Sequence, residues 1–592
     1  MSSKTSYLGL DIDYSRDSLF DSYGLLRMRE SYLKPDENSP QERFAFVSKA
    51  FGSNQEHAQR LYEYSSKHWL SYSTPILSFG RSSKGLPISC FLSYIPDTAK
   101  GLVDNLSETN WLSMLGGGVG IGFGIRSSDD KSTGVMAHMK IYDASSLAYR
   151  QGKTRRGSYA AYLDISHPDI IQFLEMRKPT GDPNVRCLNM HHAVNITDAF
   201  MEKVVACESD PSADDSWNLV DPHSNKVVET VSAKNLWQRI LETRMMTGEP
   251  YIHFIDTANR ALPEPLKQRG LKIRQSNLCQ EIELPTDENR TAVCCLSSLN
   301  LDYYDYWKSD QQFYDDVAEM LDNVLQYFID NAPDTVYRAK YSAMMERSIG
   351  VGALGFHSYL QSKMIPFEGI SALYATREIF KSINSGMHVA NLKLGELRGS
   401  PDDLKGTGLR FAHTMALAPN ASSSIIMGNT SPSCEAYKAN AYRQDTLSGS
   451  FMNKNKHLDK IIKSRFSGEQ YDEAWSSIIA NDGSCQHLEF LTADEKEVFK
   501  TAMEIDQRWV VEHASERQKF IDQGQSINLF FRPDVNIVYL HAVHKLAWEK
   551  GLKGLYYCRS EKLKKADKIS RSIERKVIEQ VKSGEECLMC EG

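Results

Sequence analysis

An α/β fold is predicted by three features of this 592-residue sequence. From Thr74 to about residue 560, short strand-like apolar runs alternate with helical patterns, the spacing of parallel strands joined by crossover helices. With 41% hydrophobic and 24% charged residues, the composition is that of a soluble globular chain with an ample core. No internal repeat or long low-complexity segment interrupts the alternation.

The elements follow in chain order. Residues 1–73 read as a helical N-terminal region. There Ser39-Pro40-Gln41-Glu42 has capping-box spacing with proline at the first helical position, and an amphipathic stretch runs on to Trp69. Residues 74–560 form the α/β body. Within it Leu86–Tyr94 and Ala292–Asn300 read as strands and Gln311–Tyr327 as a helix. Residues 561–592 are basic and helical in character as far as Lys582 and end in Cys587-Leu-Met-Cys590; this tail is expected to be flexible, because it has little apolar surface with which to dock.

Several function classes are excluded early. A formal charge of 69 − 76 = −7 argues against a nucleic-acid-coating surface. There is no apolar run of membrane-spanning length and no secretory leader, so a cytoplasmic protein is expected. Eleven cysteines, an odd number and few for the length, read as cytosolic thiols rather than a disulfide framework. The glycines Gly116, Gly117, Gly118, Gly120, Gly122 and Gly124 never meet the G-x-G-x-x-G spacing, so they read as tight turns and close backbone packing. Gly152-Lys153-Thr154 resembles the end of a P-loop, but Leu147 holds the place of the upstream glycine.

Four patterns carry chemistry. In Arg274–Pro285, read as extended chain, Asn277, Cys279 and Glu281 fall at i, i+2 and i+4 and share one side. A thiol between an amide and a carboxylate is a reactive group beside a general base, or else a buried strand cysteine with polar neighbours. Cys90 and Cys294 lie in strand-like apolar settings that equally suit packing. Cys587 and Cys590 form a C-x-x-C pair without further zinc ligands nearby, which favours dithiol exchange on a mobile end. The segment Pro419-Asn-Ala-Ser-Ser-Ser-Ile-Ile-Met427 leads serines into a helical run, either an ordinary cap or a phosphate cradle.

Taken together these motifs resemble the large catalytic subunit of class I ribonucleotide reductases, over nearly the whole chain. The resemblance is carried by Ser276-Asn-Leu-Cys-Gln-Glu281, Cys294 ahead of Leu296-Ser297, Ala418-Pro419 with its serines, Gly428-Asn-Thr-Ser-Pro432, Thr446-Leu-Ser-Gly449, Tyr556-Tyr557 and the terminal dithiol. It implies a ten-stranded α/β barrel of two antiparallel halves, each of five parallel strands, with a finger loop inside. It also implies reduction of ribonucleoside diphosphates to deoxyribonucleoside diphosphates. Cys279 would be the thiyl radical, Glu281 the base and Asn277 a holder of the ribose, while Cys90 and Cys294 would be the reducing pair. Tyr556 and Tyr557 would relay the radical from a metal-containing small subunit, and Cys587 and Cys590 would pass electrons from thioredoxin or glutaredoxin.

The same resemblance assigns substrate contacts to Thr74, Ser89, Gly157, Asn277 and the loop Pro419, Asn420, Ala421, Ser422 and Ser423. Asp97 and Arg126 would bind a deoxynucleoside triphosphate or ATP as specificity effector in a homodimer. No metal is expected on this chain. The family-like body begins at Tyr7-Leu-Gly-Leu-Asp, so an N-terminal ATP-cone and its dATP switch are expected to be absent. Cys434 stands where the pattern has an aliphatic residue. The rivals are the adenosylcobalamin-dependent reductase, against which Tyr556-Tyr557 argues, and a non-catalytic nucleotide-binding regulatory subunit.

Overall fold

The computed structural model describes residues 5–81, 85–88, 90–149, 158–210, 212–446 and 449–560. Ser89, Gly152–Gly157 and the tail with Cys587 and Cys590 lie outside the described residues.

The N-terminal region is mainly helical, as its capping signals predict. Helix Pro40–Phe51 starts at Ser39, whose hydroxyl accepts from Gln41 N (3.0 Å), and Glu42 reaches Asn38 N (2.7 Å) rather than the cap residue. The predicted amphipathic stretch breaks at Gly52, where a Cβ would press on Ala58, and resumes as helix Gln55–Ser66. Strand Leu70–Tyr72 leaves this region to pair with Ala292–Asn300.

Five parallel strands run in order through the first half of the barrel: Cys90–Pro96, Gly118–Gly124, Tyr159–Asp164, His191–Ile196 and Tyr251–Phe254. A seam follows at which Ala292–Asn300 lies antiparallel to Cys90–Pro96. Ile349–Leu354 continues parallel to Ala292–Asn300. From there the wall thins to parallel bridges, Val351 with Met415 and Leu417 with Gln525. Tyr556 N donates to Ile527 O, and Leu529–Phe531 pairs parallel with Cys558–Ser560. Gly554–Leu555 then pairs antiparallel with Tyr251–Phe254 and closes the ring. The expected two halves of five segments are thus present, although regular strand pairing fails over part of the second half.

Two of the apolar groups among the described residues frame the site. One lies between the wall and the surrounding helices, among them the 29-residue helix Ile370–Arg398. The other fills the barrel and holds Cys90, Leu92, Tyr162, Tyr251, Cys279, Cys294, Ala416 and Tyr556. No helix among the described residues is long and apolar enough to cross a membrane.

Candidate active site

Residues 274–285 are not the extended strand that the alternation predicts. The segment is an irregular loop inside the barrel, with a turn at Leu278–Gln280 and Gln280 in the left-handed region at φ +65°. Alternation fails here because Asn277 organises the turn: its Oδ1 accepts from Glu281 N (3.0 Å) and Ile282 N (3.2 Å). A buried loop must also find partners for its backbone. Tyr162 Oη donates to Asn277 O (2.6 Å), Ser526 Oγ to Cys279 O (2.5 Å) and Gly524 N to Glu281 O (2.9 Å).

The glycine cluster makes room for this loop. Gly118–Gly124 is a strand of the wall, and a Cβ on Gly120 would overlap the carbonyl oxygen of Ser276. Close backbone approach, one of the two readings of these glycines, is what the fold uses.

The chemistry-bearing groups meet at the loop tip. Asn277, Cys279, Glu281, Cys90 and Cys294 are all buried, each at most 1% exposed. Cys90 and Cys294 are direct Cα partners across the antiparallel seam. Such partners lie about 4.5–5.5 Å apart, within the span of a disulfide. Asn277 Nδ2 donates to Cys90 Sγ (3.4 Å), and Cys90 Sγ lies 3.7 Å from Glu281 Oε1. Ser526 Oγ lies 3.1 Å from Glu281 Oε2. Burial pushes the Glu281 carboxyl up to about 7, against the hydrogen bonds that favour its charge. Burial and the neighbouring Cys90 push the Cys294 thiol well above its ordinary value.

The tyrosine pair leads into this group. Tyr556 Oη donates to Cys279 Sγ at 3.2 Å, and the Tyr556 and Tyr557 ring centroids are 4.2 Å apart. Sequence reasoning missed the surroundings of Tyr557. Tyr251 packs 4.7 Å from Tyr556 and 5.1 Å from Tyr557, and the Arg559 guanidinium stands 4.0 Å over the Tyr557 ring. Tyr557 Oη contacts His191 Nδ1 (3.3 Å), and that nitrogen is held by buried Glu249 (2.6 Å). No local motif marks Tyr251, His191 or Glu249; they come together through strand register.

The remaining predicted residues fall into two groups. Thr74 is buried at the start of helix Thr74–Leu77, 3.2 Å from Tyr32 Oη. Pro419–Ser423 leads into the short helix Ala421–Ile426, capped by Asn420 in the left-handed region at φ +55°. Asn420 Nδ2 bonds Ala353 O (3.1 Å), which ties this loop to the wall. Ser424 turns its hydroxyl back to Ala421 O (2.9 Å). Asp97 and Arg126 pair elsewhere, Nε to Oδ2 at 2.7 Å. Cys434 lines a cavity outside the wall with Arg517 and Phe530, its thiol pushed up to about 11 by burial. Among the described residues one cluster has metal-ligand character: His57, Asp316 and Glu319. Its carboxylates are taken by Arg60 and Arg398.

Comparison with known proteins matches this architecture along the chain. The profile of the ribonucleotide reductase all-alpha domain matches residues 18–85, and that of the barrel domain matches residues 88–406 and 398–558. The chain belongs to the ribonucleotide reductase large-subunit family. The ribonucleoside-diphosphate reductase large subunit of Invertebrate iridescent virus 3 is 53% identical, covering 98% of this chain and 100% of its own. That of Caenorhabditis elegans is 29% identical over 98% of this chain and 82% of its own. Among solved structures, the Actinobacillus ureae class Id ribonucleotide reductase alpha subunit superposes with a TM-score of 0.81 at 34% identity. It covers 92% of this chain and 97% of its own. This reductase is thus a catalytic large subunit built on the family's barrel.

Proposed function

We propose that this reductase converts ribonucleoside 5′-diphosphates to 2′-deoxyribonucleoside diphosphates by a thiyl radical mechanism. The observation that carries the reading is the Tyr556 hydroxyl on the Cys279 sulfur at 3.2 Å, inside a barrel lined by Cys90, Cys294, Asn277 and Glu281. Tyr557 and Tyr556 carry the radical inward, since a phenol can lose an electron and a proton together. The oxidant is the radical of a metal-containing small subunit, and no metal is assigned to this chain.

Cys279, as the thiyl, takes the hydrogen atom from C3′ of the ribose held by Asn277. Glu281 takes the 3′-hydroxyl proton, a task suited to a carboxylate whose buried site favours the neutral acid. The 2′-hydroxyl leaves as water with a thiol proton. Cys90 and Cys294 supply two electrons and the second thiol hydrogen, which goes to C2′, and close into a disulfide. Glu281 returns the proton to the 3′ oxygen, and Cys279 returns its hydrogen atom to C3′ and is again the thiyl. Cys587 and Cys590 then exchange with that disulfide and are reduced by thioredoxin or glutaredoxin. Substrate is held by Thr74, Ser89, Gly157 and Pro419–Ser423. Asp97 and Arg126 take a deoxynucleoside triphosphate or ATP that sets substrate choice, in a cytoplasmic homodimer.

The test is reduction of CDP to dCDP with ATP, dithiothreitol and a radical-bearing small subunit, without cobalamin. Turnover that requires the small subunit is expected. Activity only when adenosylcobalamin replaces that subunit overturns the class I reading and returns Tyr556 and Tyr557 to packing.

A further inference from the structure

The hairpin Ser216–Val220 with Val227–Ser232 is anchored by its first strand, where Leu219 is fully buried and Trp217 packs on Phe200. Its second strand is largely exposed, with Val227 and Val228 more than half accessible. Its turn is built around one carboxylate. Asp221 Oδ1 accepts from His223 N (3.2 Å), Ser224 N (2.8 Å) and Ser224 Oγ (2.9 Å). Asp221 Oδ2 accepts from Ser127 N (3.3 Å), the residue after Arg126. One buried side chain therefore shapes the turn and bolts it to the segment that carries Arg126.

The result is a side chain delivered to Asp97. His223 Nδ1 lies 3.0 Å from Asp97 Oδ2, the same oxygen that accepts from Arg126 Nε at 2.7 Å. Arg126 also faces Asp129, at 3.6 Å. Asp97 Oδ2 is thus held from two separate elements, which leaves Oδ1 outside both contacts.

We propose that His223 is a third side chain of the effector site, a positioning residue that holds Asp97 when Arg126 engages a nucleoside triphosphate. The proposal rests on the assignment of Asp97 and Arg126 to effector binding. A triphosphate competes with Asp97 for the Arg126 guanidinium. An acid left beside several phosphate charges without a donor would repel the ligand. His223 keeps an ion-pair partner beside Oδ2 in that state, and Oδ1 stays available to a ribose hydroxyl. The hairpin, anchored through Leu219 and Trp217, presents this turn beside Asp97.

The experiment measures dTTP binding to the full chain by isothermal titration calorimetry, for wild type, His223→Ala, His223→Asn and Arg126→Ala. His223→Ala is expected to weaken binding by about three- to tenfold, the range of a partly exposed charge-assisted hydrogen bond. His223→Asn, which places an amide N–H near the Nδ1 position, should recover to within about twofold of wild type. The dTTP concentration for half-maximal activation should rise in His223→Ala while kcat at saturating effector stays unchanged. Unchanged or tighter binding in His223→Ala overturns the role of His223. If Arg126→Ala binds dTTP like wild type, the effector assignment itself is overturned, and the two failures are told apart.

Discussion

The Tyr556 hydroxyl donates to the Cys279 sulfur at 3.2 Å, so the adjacent tyrosine pair, its rings tilted at 52° and 4.2 Å apart, ends in contact with the thiol. Tyr556→Phe keeps the ring and its packing on Tyr251 and Tyr557 but removes the transferable proton. Small-subunit-dependent CDP reduction is expected to fall by about a thousandfold or more, which corresponds to roughly 4 kcal/mol of barrier. Effector binding should be retained; a variant with near wild-type turnover would remove Tyr556 from the radical path.

Cys279→Ser should abolish turnover while nucleotide effector binding persists, because Asp97 and Arg126 pair with each other away from the loop tip. The measurement is CDP reduction alongside dTTP binding on the same preparation. Turnover surviving in Cys279→Ser would sink the thiyl assignment.

Glu281 supplies a pH signature. Its carboxyl, ordinarily near 4.5, is pushed up to about 7 by burial. As a base it must be ionised, so kcat/KM of the wild type should rise with pH through about 7 and level off above it. Glu281→Gln should lose about a hundred- to ten-thousandfold in kcat and lose that acidic limb. The sign for stability is opposite. The folded state holds the proton more tightly than the unfolded chain, so the Glu281 contribution falls as pH rises from about 4.5 to about 7. The melting temperature of Glu281→Gln should therefore gain on wild type between pH 5 and pH 8.

Gly120→Ala tests the seating of the loop. The added Cβ would overlap Ser276 O, a backbone atom that cannot swing aside. A stability loss of about 1–3 kcal/mol is expected, with kcat reduced at least tenfold as Cys279 moves off the Tyr556 hydroxyl. Denaturant unfolding and CDP turnover check it, and wild-type turnover would show that the loop tolerates the shift.

Glu283 anchors the same loop through His253, with Nε2 and Oε2 at 3.0 Å and both side chains buried. The other ring nitrogen contacts Asn195 Oδ1 (2.7 Å), and Asn195 Nδ2 donates to Asp164 (2.8 Å). One proton is therefore shared between Glu283 and His253. Glu283→Ala is expected to cost about 3–5 kcal/mol in denaturant unfolding by stranding the histidine, and Glu283→Gln much less, because its amide can donate to a neutral Nε2. Equal losses in both variants would show that the charge matters and the hydrogen bond does not.

Much of the site was legible in order along the chain and little of it in space. Cys279, Asn277 and Glu281 stand close in sequence, and a thiol flanked by an amide and a carboxylate is a chemical signal by itself. The reason given for their convergence was wrong. Extended alternation does not bring them together; Asn277 Oδ1 does, by capping the turn over Glu281 and Ile282. Tyr251, His191, Glu249 and His223 had no signal, because each matters only through a neighbour distant in sequence. Strand Ala292–Asn300 was legible because its apolar start, Ala292 to Leu296, has no alternation and the whole strand is buried on both faces.

By itself the sequence determined the α/β alternation, the candidate reactive groups and the family they resemble, because periodicity and residue chemistry are local properties. Only the tertiary structure decided that Cys90 faces Cys294, that Tyr556 reaches Cys279 and that the glycine-rich strand lies under the loop. Those relations depend on strand register and barrel closure. Both are fixed by burial and backbone pairing summed over the whole ring, which no single segment encodes.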